Sequence, residues 1–181
     1  MSEDRITATP SWRSKNQAAL DWSSLAHAYG SASDLPSLFD RLCDGEASDA
    51  GRAMSDIALR VCHQGAAVEE ATAPSVVVLM DIAASSDARL AERIIRVLRT
   101  ISESLGTWAR MMGSSSPDHR SAYASKVRWE QDVLRSLGNG SGPLGAAISR
   151  EASPLIPHFE KLVEAISEAE QRLDRSVDLR P

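Results

Sequence analysis

Cysteine is nearly missing: Cys43 and Cys62 are the only two in 181 residues. The first residues also fail to join a basic stretch to an apolar one, so neither a disulfide-stapled scaffold nor a secreted protein is expected. Long apolar runs are missing as well. None approaches the roughly 20 residues a membrane-crossing helix needs, which excludes a membrane partner and points to a cytosolic protein. Aromatics make up only 4% of the chain, and the alternation of β-branched and aromatic residues that marks strands is absent. Basic residues are outnumbered, 20 Lys and Arg against 25 Asp and Glu, for a formal net charge of -5. That balance argues against nucleic acid as a partner, although residues 86–135 are locally basic, with nine basic and six acidic side chains.

What is present is an ordinary helical composition. Ala, Leu, Arg, Glu and Ser dominate, hydrophobic residues reach 43%, and apolar positions return every three or four residues, the period of a helix with one buried face. A single domain is expected over 17–181, after a flexible polar lead over 1–16. The first helix is expected near 18–29, with Leu20, Trp22, Leu25, Ala26 and Tyr29 inward, and ends at Gly30. The next spans 34–43: Ser33 or Asp34 caps it, Pro36 fits its first turn, and Leu35, Leu38, Phe39 and Leu42 form its stripe.

A third helix, 48–64, places Ala50, Met54, Ile57 and Val61 within a narrow arc, because each residue advances about 100° around the axis; Gly65 stops it. VVVLMDI at 76–82 follows Pro74 and has no pairing partner nearby, so it reads as a buried helix rather than a strand. A fifth helix, 88–105, carries Leu90, Ile94, Val97, Ile101 and Leu105 and ends before Gly106. A more polar helix over 118–137 follows, then a glycine-rich linker, GNGSGPLG, which lacks the Gly-Lys-Ser/Thr of a phosphate-binding loop. The last helix, 154–177, sets Leu155, Phe159, Leu162, Ile166, Ala169 and Leu173 in a narrow seam suited to closing a stack or to pairing with a second copy.

Two short-then-long helix pairs, 34–64 and 74–105, repeat one another. Pro36 answers Pro74 at a spacing of 38, and Ala50, Met54, Ile57 and Val61 answer Leu90, Ile94, Val97 and Ile101 at a spacing of 40. A hairpin of two helices recurring at about 40 residues is the signature of an α-solenoid, in which stacking supplies the core that one hairpin lacks.

Three segments carry a resemblance: LAHAYGSASDLPSLFDRL, IALRVCHQGAAVEEATAPSVVVLMDI and RIIRVLRTI. Over roughly residues 20–105 the chain resembles the bacterial HEAT-repeat proteins of the HEAT-like α-α superhelix group. The resemblance implies an all-α HEAT-like superhelix, which the seam of 154–177 is expected to close as a long C-terminal helix. It also implies a scaffold for binding proteins or, in some branches, nucleic acid; the enzymatic branches include DNA glycosylases.

Cys62 and His63 invite a thiolate–imidazole reading, but neighbouring residues of one helix point about 100° apart and cannot face each other. No catalytic residue is assigned. His63 is read as the end of its helix, facing free carbonyls, with Gly65 supplying a left-handed turn. A zinc site drawn from Cys43, Cys62, His63 and His27 lacks any CxxC or HxxxH spacing, and His119 and His158 stand alone. No metal or cofactor is expected.

The outward ridge of the two longer helices is the better lead. Arg52, Asp56, Leu59 and His63 correspond, at a spacing of 40, to Glu92, Arg96, Arg99 and Glu103, with Trp108 nearby. A phosphate-tracking surface would hold few carboxylates; a mixed row with an exposed leucine suits a protein partner. The plain alternative is a solvated face with ion pairs such as Glu92 with Arg96. The expected function is therefore a noncatalytic interaction scaffold or adaptor, with inhibition of a toxin added only by analogy. The competing reading is a DNA glycosylase-like enzyme using Arg89, Arg93, Arg110, Trp108 and Trp129, with Asp118 or Asp132 as acid. A third is homodimerisation through the last helix.

Overall fold

A computed structural model of the chain describes Trp12 and residues 20–65, 67–113, 124–139 and 142–177. The described chain is mostly helical. Its first hairpin pairs α1, Leu35–Asp44, with α2, Ala47–Val61. Pro36 lies in the first turn of α1, where its missing N–H costs nothing. Asp34 does not cap α1; the Ser31 hydroxyl instead accepts from the Ser33 N–H at the start of a 3-10 turn, Ala32–Asp34. Arg41 grips Asp49 through two hydrogen bonds of 2.6 and 3.2 Å, tying α1 to the first turn of α2. The stripes expected on both helices are buried, Leu35, Leu38, Phe39 and Leu42 against Ala50, Met54, Ile57 and Val61.

The second pair is α3, Thr72–Ser85, and α4, Ala88–Gly113. α3 starts two residues before Pro74 because the Thr72 hydroxyl accepts from the Glu69 N–H and donates to the Val61 carbonyl, anchoring its first turn to the end of α2. Val76, Val78, Leu79, Met80 and Ile82 are all buried. A helix apolar on nearly every side is a central one, and α3 packs against both α4 and α5, Ala124–Gly138. Asp87 opens α4 by accepting from the Leu90 N–H at 2.8 Å. The helix then runs through Gly106, where the sequence predicts a stop, and ends at Gly113. One interior glycine costs a helix only about 1 kcal/mol.

The glycine-rich linker is shorter than expected, since α6, Gly142–Ala152, takes up its second half. A 3-10 turn, Ser153–Leu155, leads into α7, Ile156–Val177, which packs on α5. Phe159 and Leu162 are buried in the same core and Leu155 is packed partly buried against it. Residues 118–123, including Asp118 and His119, lie outside the described residues, as do the side chains of His158, Ile166, Ala169 and Leu173. Trp12, within the stretch read as a polar lead, is buried edge-on to Phe39 at 5.4 Å.

The largest departure from the sequence reading is at 20–31. Across the described residues 20–29 there is no α-helix. Trp22–Ser24 is a 3-10 turn capped by Asp21, and β1, Ala26–His27, pairs with β2, Gly30–Ser31, in a tight antiparallel hairpin. The backbone groups a helix would use are taken by distant partners. The Ala26 N–H donates to Glu70, the Ala28 N–H to the Arg60 carbonyl, and the Ala71 N–H to the Ala26 carbonyl. Likewise α2 ends at Val61, three residues short of the expected limit. β3, Cys62–His63, pairs with β4, Ala67–Val68, across a turn in which Gln64 (φ 52°) and Gly65 (φ 68°) are left-handed.

Candidate interaction face

The two sequence motifs HAYG and HQG come together at one end of α2. Tyr29 presents its ring edge-on to His63, with centroids 5.4 Å apart, and is itself 59% exposed. Tyr29 therefore points outward, not into the core as the helical reading of 18–29 required. Beneath it, Asp34 is the hub of a small polar network. Its carboxylate accepts from Arg60 Nε at 2.7 Å and from His27 Nε2 at 3.0 Å. His27 Nδ1 accepts the Tyr29 N–H, which leaves the ring proton on Nε2 for Asp34. Partial burial pushes the Asp34 carboxyl up, but the Arg60 guanidinium and the His27 imidazole outweigh it and hold it below the usual carboxylate range. His27 is thus a buried structural residue holding the β1–β2 hairpin against α1 and α2.

Cys62 and His63 fail to form a dyad for a reason other than the one the sequence suggests. They sit on an extended strand, where successive side chains point to opposite faces; Cys62 is buried and His63 half-buried. Burial pushes the Cys62 thiol up, further from the thiolate a nucleophile needs. Burial likewise pushes Cys43 up to about 11, with Asp44 and Asp40 adding to it. Among the described residues no group of three or more His, Cys, Asp or Glu is placed to hold a metal ion.

The outward rows behave differently along their length. On α2, Arg52 is exposed, Asp56 half-buried and Leu59 44% exposed, and the row continues into His63 with Tyr29 against it. On α4, Glu92, Arg96, Arg99 and Glu103 are all exposed. Glu92 and Arg96 form the expected pair at 2.7 Å, but both side chains are about 70% exposed and water screens them. Trp108 lies on α4 by its backbone, and its side chain is outside the described residues.

Between α2 and α4 lies an open groove of about 680 Å³. Arg52, Asp56 and Arg96 of the outward rows line it, above an apolar floor of Met54, Ala58 and Val97. Arg93 joins them, a residue the sequence reading had assigned only to the enzymatic alternative. Its guanidinium lies across Gly51, with Nη1 2.8 Å from where a Cβ on that glycine would stand. An isolated glycine inside a helical pattern is the signal that marks such a close approach. Of the other residues of the enzymatic reading, Asp118 and the side chains of Trp108 and Arg110 lie outside the described residues. Trp129 and Asp132 line a separate depression with Pro74 and Val77 of α3, and Asp132 is paired with Arg135 at 3.2 Å.

One buried group belongs to none of these features. Glu130, on α5, is completely buried and neither of its oxygens has a hydrogen-bond partner. Burial pushes its carboxyl up to about 8; Lys126 works against that shift and Glu69 adds to it. No helix among the described residues is long and apolar enough to cross a membrane. Comparison with known proteins finds no matching family model, no matching curated protein and no matching solved structure.

Proposed function

We propose that the chain is a noncatalytic interaction scaffold of the α-α superhelical kind, working in the cytosol as an adaptor or as an inhibitor that occupies a partner protein. The observation that carries the reading is the α2–α4 face: two adjacent helices turn their mixed-charge rows outward on either side of an open groove. Among the described residues the buried Cys62 thiol and the buried, unlinked Glu130 carboxyl form no reactive constellation beside it, whereas arginines over an apolar floor with an exposed Tyr29 and Leu59 at one end suit protein recognition. The repeat of two helical hairpins at a spacing of about 40 residues supports the superhelical reading.

The test is cross-linking of the full chain to its partner in native extract, followed by binding measurements with the purified pair. Replacing Arg52, Arg96 and Arg99 together by alanine is expected to weaken the complex at least about tenfold, since charge-assisted hydrogen bonds at an interface contribute about 1.5–3 kcal/mol each. Cross-links confined to other surfaces, with affinity unchanged in the triple variant, would refute the assignment of this face.

A further inference from the structure

The groove has a chemical bias of its own. Three arginines line it against a single carboxylate, Asp56. Arg96 is already paired with Glu92; neither Arg52 nor Arg93 makes a hydrogen bond or close ion pair among the described residues, although Asp49 lies near enough to feel the charge of Arg52. Arg93 also lines a second, smaller depression of about 220 Å³ between α1, α2 and α4, so its guanidinium stands where two hollows meet. Gly51 is what lets its Nη1 approach α2 so closely. Two guanidiniums with no hydrogen-bonded partner beside Met54, Ala58 and Val97 match a ligand that combines carboxylates with apolar side chains, because arginine's planar fork takes a carboxylate through two parallel bonds.

We infer that the α2–α4 groove docks an acidic peptide segment of a protein partner, its carboxylates on Arg52 and Arg93 and its apolar side chains on the floor. The inference rests on the scaffold reading and narrows it to one occupant. A polynucleotide fits less well: a phosphate backbone needs a run of cations, and here Asp56 and Glu92 break the run within one or two helical turns while the whole chain carries a net charge of -5.

The experiment is selection of a random peptide display library on the immobilised full-length protein, with recovered peptides measured by fluorescence anisotropy in low and moderate salt. Peptides enriched in Asp and Glu beside apolar residues are expected. Arg52→Ala and Arg93→Ala should each weaken them about tenfold. Gly51→Ala should weaken them too, by displacing the Arg93 guanidinium, while raising rather than lowering the melting temperature, so loss of binding cannot be ascribed to loss of fold. Peptides without acidic enrichment, or acidic peptides indifferent to these three changes, overturn the groove assignment. If the peptides instead lose binding only with Tyr29→Ala or Arg99→Ala, the scaffold reading stands and the groove inference fails. No enrichment at all counts against both. A duplex or single-stranded DNA that competes for Arg52 and Arg93 overturns the choice of peptide.

Discussion

Glu130 makes the stability of this fold depend on pH in a direction opposite to that of most carboxylates. Its folded-state value of about 8 lies well above the reference 4.5. Below pH 4.5 the group is protonated in both the folded and the unfolded chain and contributes no pH dependence. As pH rises above that value the unfolded chain releases its proton while the folded chain keeps it, so stability falls until about pH 8 and then levels off. At about 1.4 kcal/mol per pKa unit, the loss between pH 5 and pH 8 comes to roughly 3.5 kcal/mol, a large fraction of a typical total of 5–15 kcal/mol. Glu130→Gln removes the titration and keeps the shape. Its buried amide remains unpartnered, at a cost of about 1–3 kcal/mol that does not vary with pH. Urea unfolding followed by circular dichroism from pH 5 to 8 should therefore show the variant gaining on the wild type by roughly 3.5 kcal/mol across that range. The sign at pH 5 is immaterial; the slope is the test. Parallel profiles would show that Glu130 ionises in the folded protein near its ordinary value and is not sealed from water.

Other perturbations follow from local geometry. Gly51→Ala should stabilise the fold by about 0.5–1 kcal/mol, because an interior helical glycine is less favourable than alanine by that amount and the only atoms in its way belong to the movable end of Arg93; thermal unfolding measures it. Gly65→Ala should cost about 1–2 kcal/mol, since φ 68° is a left-handed conformation that a Cβ disfavours; a melting point equal to the wild type's would show that the turn readily rearranges. Asp34→Ala should destabilise by about 1–3 kcal/mol, by leaving the buried His27 N–H without its acceptor. The wild type should also lose the contribution of that depressed carboxyl only as pH falls below about 4, a loss absent from the variant's acid titration.

Helices α1, α2 and α3 and most of α4 were legible because their evidence is local. The stripe Leu35, Leu38, Phe39 and Leu42, the stripe of α2 and the stop near Gly65 depend on residues three or four apart and on the handedness of one backbone position. VVVLMDI showed itself a helix by lacking a partner strand. The outward residues Arg52, Asp56 and Arg96 were legible for the same reason, since a helix that shows which face is buried also shows which is not. Gly106 misled because a glycine ends a helix only where the backbone leaves helical geometry; TWARMM after it continues the helix.

The segments around His27 and His63 could not be read this way. Leu20, Trp22, Leu25 and Tyr29 have a spacing that a helix would accept, and only the Arg60 carbonyl, the Glu70 carboxylate and the Ala71 amide, up to 45 residues away in sequence, draw that backbone into a hairpin. The same long-range packing put Tyr29 on the surface against His63, laid Arg93 across Gly51 and enclosed Glu130. Sequence by itself determined which faces of the helices are apolar, because periodicity is a property of consecutive residues. Tertiary structure alone decided which polar groups meet and which are left without a partner, because hydrogen bonds and desolvation depend on distances between segments that no local pattern encodes.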